Sequence, residues 1–159
     1  MKKLKINKIL LILFSCFYLL SCGYQPILNK ENQKFSIKEF ELKGNKRLSG
    51  LLRNNLITTK KESNNLKLII KSDKKTSISN KSETGKILQY SVNVNFEITV
   101  EEYEGSEIII SKIYSRQKNY SASSIYLDTL NNEKKVVESM IDSIATEILV
   151  ELNSIYKEK

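Results

Sequence analysis

Between Leu88 and Val100 the chain alternates without a fault. Leu88, Tyr90, Val92, Val94, Phe96, Ile98 and Val100 are apolar, and Gln89, Ser91, Asn93, Asn95, Glu97 and Thr99 stand between them. Successive side chains of a strand point to opposite faces. Period two over 13 residues therefore reads as a half-buried strand with one dry side and one wet side. A sheet with one apolar face needs a second layer to cover it, so the rest of the chain must supply a cover.

Two segments have the period for that task. In "NKRLSGLLRNNLI", Leu48, Leu51, Leu52 and Leu56 fall at helical spacing, with Asn45 placed as an N-cap. Gly50 inside this stripe weakens it by about 1 kcal/mol relative to alanine. Near the C-terminus, Val137, Met140, Ile141, Ile144, Ile148, Leu149, Leu152 and Ile155 form a longer stripe. Glu138, Asp142, Ser143, Glu147, Glu151 and Asn153 fall largely opposite. This predicts an amphipathic helix over about 132–157. Leu127 and Leu130 extend the stripe upstream and leave its start open.

Three further strands complete the layer. "FSIKEFELKG", residues 35 to 44, begins with Phe35 and Ile37 on one face. The apolar phase then slips by one at Phe40 and Leu42, which points to a bulge or a turn of the strand. "NLKLIIKSDKKTSISNK" is apolar in its first half and polar in its second. "EIIISKIYSRQKNY" follows Gly105 as the hairpin partner of the alternating strand. The expected fold is α+β: a four-stranded, mainly antiparallel sheet with two helices on one face, in the order β-α-β-β-β-α.

Catalytic chemistry is hard to find. The chain has no histidine, which excludes His-based triads and His-metal sites. Its glycines, at 23, 44, 50, 85 and 105, build no phosphate loop. A Ser–Lys dyad or a carboxylate pair is compatible with the composition, but no motif marks one. The expectation is a binding or assembly protein, with no enzyme activity, cofactor or metal.

The N-terminus carries its own message. Lys2, Lys3, Lys5 and Lys8 precede the 12-residue apolar run "ILLILFSCFYLL". That run falls short of the roughly 20 residues needed to span a bilayer, and the layout is that of an export signal. The run ends in "LLSC", which resembles the lipobox of bacterial lipoproteins, with Leu19, Ser21 and Cys22 at its key positions. The resemblance implies cleavage after Ser21 and acylation of Cys22. Residues 1–21 are then a signal peptide, 22–34 a lipidated leader and 35–159 a single domain. Cys16 leaves with the signal and Cys22 becomes a thioether, so no disulfide is expected. Removing the signal leaves 22 bases against 18 acids, too mild a surplus to suggest nucleic-acid binding. In the leader, Pro26 fixes its own backbone angle and biases Gln25 towards extension. Tyr24 sits either at the membrane interface or packed against a protein partner or the domain itself.

Taken in order, "CGYQP", "RLSGLLRNNL", "GKILQYSVNVNFEITV", "SKIYSRQKNY" and the final amphipathic helix resemble the LptE-type lipopolysaccharide-assembly lipoproteins. The likeness runs over nearly the whole chain after Cys22, with a shortened tail. It implies an outer-membrane lipoprotein on the periplasmic face, anchored through Cys22. Its expected partners are a barrel protein of the LptD type and lipopolysaccharide. Gly23 after the cysteine agrees with outer-membrane sorting in enteric-type bacteria. The alternative is an auxiliary lipoprotein of a phospholipid transport system; a third reading is a lipid-anchored enzyme.

A ligand with phosphates beside acyl chains calls for bases mixed with apolar groups. Period two in "SKIYSRQKNY" puts Lys112, Tyr114, Arg116, Lys118 and Tyr120 on one side. Lys81 and Lys86, which precede the neighbouring strand, are candidates for the same end of the sheet. Arginine offers a planar fork to phosphate and lysine a point charge. The row is either a lipopolysaccharide-binding face or a solvated face of a lysine-rich chain.

Overall fold

A computed structural model describes residues 34–57, 64–105 and 107–157. The signal segment, Cys22 and the leader before Lys34 lie outside the described residues. The elements run β1 (Phe35–Gly44), α1 (Lys46–Leu56), β2 (Asn64–Lys81), β3 (Ile87–Glu102), β4 (Ile108–Ser121) and α2 (Tyr126–Lys157). The sheet order is β1-β2-β3-β4. β2, β3 and β4 form an antiparallel meander, while β1 joins β2 in parallel. A parallel pair needs a crossover, and α1 supplies it. The expected architecture is present, with two helices over one face of a mainly antiparallel sheet.

The alternating strand forms the middle of the core. Val92, Val94, Phe96, Ile98 and Val100 are fully buried. Leu88, near the start of the strand, is exposed. From β2 come Leu66, Leu68 and Ile70; Leu48, Leu52 and Leu56 of α1 and the α2 residues from Val137 to Leu152 close over them. At the far end Phe35 meets Tyr156, with ring centroids 6.0 Å apart.

The phase slip in β1 has a structural cause. The register with β2 shifts between Ile37 and Glu39, so Lys38 is a bulged residue. Phe35 and Ile37 before it, and Phe40 and Leu42 after it, then all reach the helix side. A second shift, beside Ile109, comes before Ile110. From Lys112 onward β4 pairs regularly with β3.

The corner between β1 and α1 is tight. Gly44 has φ +69°, a backbone region that favours glycine. The Asn45 amide donates to the Ser72 carbonyl at 2.9 Å, and the Asn45 side chain caps α1 by accepting from Leu48 N at 3.1 Å. Beneath the corner the Ser49 and Ser72 hydroxyls share a buried hydrogen bond of 2.7 Å. The Ser72 hydroxyl also donates to the Asn45 carbonyl. These two serines are polar groups inside an apolar layer, and they are satisfied there by one another and by the turn.

α2 begins at Tyr126, upstream of the expected start near 132. Leu127 and Leu130 are helical, as their spacing suggested, but do not join the buried stripe: they remain 63% and 41% exposed.

Candidate functional site

The basic row of β4 is real as geometry. Tyr120, Lys118, Arg116, Tyr114 and Lys112 stand opposite Tyr90, Val92, Val94, Phe96 and Ile98 of β3. Those β3 positions form the core face, so the row points towards the helices and not to the open side of the sheet. What it meets there is α2. Lys112 lies 2.8 Å from Glu151 and 3.8 Å from Glu147. Arg116 pairs with Glu147. Lys118 reaches the Ser139 hydroxyl at 3.3 Å. The Tyr114 hydroxyl donates to Glu151 at 2.8 Å, and the Tyr120 hydroxyl donates to Glu133 at 3.1 Å. An edge strand is thus fastened to the covering helix by three carboxylates.

Glu133 gathers the most partners. Lys74 of β2 lies 2.6 Å from it, and Thr76 donates at 3.4 Å. Burial on its own would raise the Glu133 pKa. Hydrogen bonds from Lys74, Tyr120 and Thr76, with the lysine's charge, outweigh this and hold it below the ordinary value. Glu151 is also lowered, first by the Lys112 hydrogen bond and also by the Tyr114 hydroxyl, against the opposing effect of burial. Tyr114 and Tyr120 are both raised, chiefly by burial and then by the carboxylates they bond.

These shifts set a pH window. Carboxylates held low contribute stability above their unfolded value of about 4.5, and lose it as acid protonates the folded form. Tyrosines held high contribute below their unfolded value of about 10, and lose it as alkali forces ionisation. The melting temperature is expected to be level between about pH 5 and 9 and to fall on both sides. In Glu133→Gln and Glu151→Gln together, the acid limb should flatten. Calorimetry across the pH range reads both limbs, and an unchanged acid limb in the double variant would remove these carboxylates as its cause.

The sequence missed this strap because it placed Glu147 and Glu151 largely opposite the apolar stripe. Both lie on its flank. The available signal was spacing: Glu151 follows Ile144 by seven residues and Ile148 by three, which keeps it on their side of the helix.

The remaining basic residues do not join the row. Lys81 and Lys86 flank the β2–β3 turn, where Ser82 N donates to the Lys86 carbonyl at 2.8 Å. Both are exposed. Ile87 pairs with Lys81, whereas Lys112 stands opposite Ile98. Eleven residues of strand separate those levels, roughly 36 Å. Lys81 and Lys86 therefore share an end of the sheet with Lys118 and Tyr120, far from Lys112.

The open face of β3 and β4 has a different character. Gln89, Ser91, Asn93, Asn95 and Thr99 face Ser121, Asn119, Gln117, Ser115 and Ser111 across the ladder. This is a carpet of neutral amides and hydroxyls, interrupted at the Glu97–Ile113 pair. Gln117 donates to Ser91 at 3.0 Å, while the Asn93 side-chain oxygen has no partner among the described residues.

A half-open groove of about 410 Å³ lies on the helix side. Leu48 and Leu51 of α1 form one wall, and Leu127, Leu130 and Val137 of α2 the other, with Lys74 below.

No family model and no curated protein matches this chain in sequence. In structure it is similar to several bacterial lipoproteins. Rare lipoprotein B from Shewanella oneidensis superposes with a TM-score of 0.54 at 20% identity, over 76% of this chain and 98% of that one. A minor lipoprotein from Acinetobacter baumannii gives 0.52 at 15%, over 77% and 92%. Lipoprotein B from Nitrosomonas europaea gives 0.53 at 9%, over 78% and 88%. At such identities the likeness is one of fold. Among the described residues, no helix is long and apolar enough to cross a membrane.

Proposed function

We propose that this protein is an outer-membrane lipoprotein, anchored through Cys22, that docks in a lipopolysaccharide-transport barrel of the LptD type and helps to assemble it. The fold shared with three lipoproteins carries the reading, and the "LLSC" motif ahead of the first strand agrees with it. The polar face of β3 and β4, uncharged except at Glu97, suits the proposed location. The lumen of a large barrel is polar, and amides and hydroxyls can exchange hydrogen bonds with it without the cost of burying charge. Because Lys112 and Arg116 are engaged by carboxylates, phosphate contact in this reading falls to Lys81, Lys86 and Lys118.

The experiment is a detergent pull-down through a C-terminal tag, with labelled palmitate in the medium. The wild type should carry label and bring down a large barrel. Cys22→Ser should lose the label. Depletion should reduce correctly assembled barrel and surface lipopolysaccharide. A labelled protein with no barrel partner, and normal surface lipopolysaccharide after depletion, would leave the anchor and overturn the assembly role.

A further inference from the structure

β2 is longer than the strand beside it. β1 stops at Gly44, opposite Ser72, and the chain turns away into α1. β2 continues to Lys81, paired with β3 on one side. On its other side no described residue pairs with the backbone of Asp73–Lys81.

The direction of the exposed backbone groups follows from two hydrogen bonds. The Asn65 carbonyl accepts from Tyr103 N, on the β3 side. The Ser72 carbonyl accepts from Asn45 N, on the β1 side. Successive residues of a strand direct their N–H and C=O groups to alternate edges. Beyond Ser72, then, Lys74, Thr76 and Ile78 aim their amides and carbonyls into the space in line with β1. The pairing with β3 stays regular as far as Ile78.

The groove lies beside this edge. Asn45, the N-cap just after β1, and Lys74, on the free stretch, both line it. A strand laid against Lys74–Ile78 would turn alternate side chains towards the helix layer. There it would meet Leu127 and Leu130, whose apolar surface is left uncovered. Backbone groups and the leucines set among the groove's polar lining thus match the period of a single extended segment.

Charge selects the occupant. Asp73–Lys81 holds three lysines and one aspartate. Lys74 is engaged by Glu133, but no described carboxylate lies within ion-pair distance of Lys75 or Lys81. A second copy pairing through the same edge would set lysine rows against each other, which disfavours it. We infer that the free edge of β2 from Lys74 to Ile78, with the groove between α1 and α2, is a β-strand-addition site for an extended segment of another protein that alternates apolar with acidic residues.

The test uses the full-length protein in mild detergent and a defined probe: a capped nine-residue peptide alternating valine or isoleucine with glutamate. Residue-level hydrogen exchange is followed on titration. The Lys74, Thr76 and Ile78 amides should slow about tenfold or more at saturation, while the Lys75 and Ser77 amides, already bonded to β3, stay as they were. Thr76→Pro removes an edge-facing N–H and spares the ladder to β3; it should weaken binding about tenfold. Leu127→Glu, at an exposed position, should weaken it through the groove and keeps the test valid should the proline variant misfold. A peptide with lysine in place of glutamate should bind less well. The inference is overturned by absence of protection at millimolar peptide, or by equal protection from a non-alternating peptide of the same composition. Protection without peptide also overturns it: concentration-dependent protection would mean self-pairing, and constant protection would mean the chain covers its own edge.

Discussion

Gly44→Ala is expected to be among the most damaging single substitutions in the domain. A Cβ at this position would lie 2.3 Å from the Ser72 carbonyl oxygen, a backbone atom, at a φ of +69°. The left-handed conformation costs about 1–2 kcal/mol for a residue with a side chain. Relieving the overlap means moving β2 away from the corner. That strains the Asn45–Ser72 backbone bond and the buried Ser49–Ser72 pair. A total loss of roughly 3 kcal/mol is expected, read as a lower denaturant midpoint at constant slope. Gly50→Ala is the contrast. No atom lies within 4 Å of the added Cβ, and the site is helical, so it should gain up to about 1 kcal/mol. Equal midpoints for the two variants would disprove this account of the corner.

Phe96→Ala should cost about as much by another route. The ring is fully buried on the central strand β3, between Ser72 of β2 and Tyr114 of β4. Truncating a buried phenylalanine costs about 3–5 kcal/mol, part of it from the cavity left behind. Phe96→Leu keeps most of the volume and should lose less than half as much. Thermal unfolding of the pair checks the order; a loss in Phe96→Ala below about 1 kcal/mol would mean that the helices collapse onto the vacancy.

Much of this architecture was legible in the chain. The alternation from Leu88 to Val100 marks the core strand because period two has few other readings. The phase slip at Phe40 pointed to a bulge or a turn of the strand, and Lys38 is a bulge. The Asn45 cap and the leucines after it gave α1. What the pattern did not carry was the placement of elements against each other. Nothing local in β1 declares that it pairs in parallel with β2. The basic row of β4 was correctly assigned to one side, but the row looks the same on paper whether that side meets solvent or a helix. Lys112 and Arg116 find Glu147 and Glu151 about 35 residues away, a meeting that depends on where α2 lies. Leu127 and Leu130 have core spacing and stay exposed. Period assigns a residue to a helix face, and the neighbouring elements decide whether anything covers it.

The parallel entry of β1 also sets an order of assembly. The β2–β3–β4 meander joins neighbours in sequence and can zip up locally, whereas β1 must wait for α1 to form a crossover and for β2 to arrive. Synthesis delivers β1 first, so for a time it is an unpaired strand with two sticky edges. Its sequence is suited to that interval. The bulge at Lys38 spoils a flat edge, and Lys38, Glu39, Glu41 and Lys43 scatter charge of both signs along it. Such features discourage pairing with a foreign chain. The irregularity that re-phases Phe40 and Leu42 for the finished core thus also serves as a guard against aggregation before that core exists.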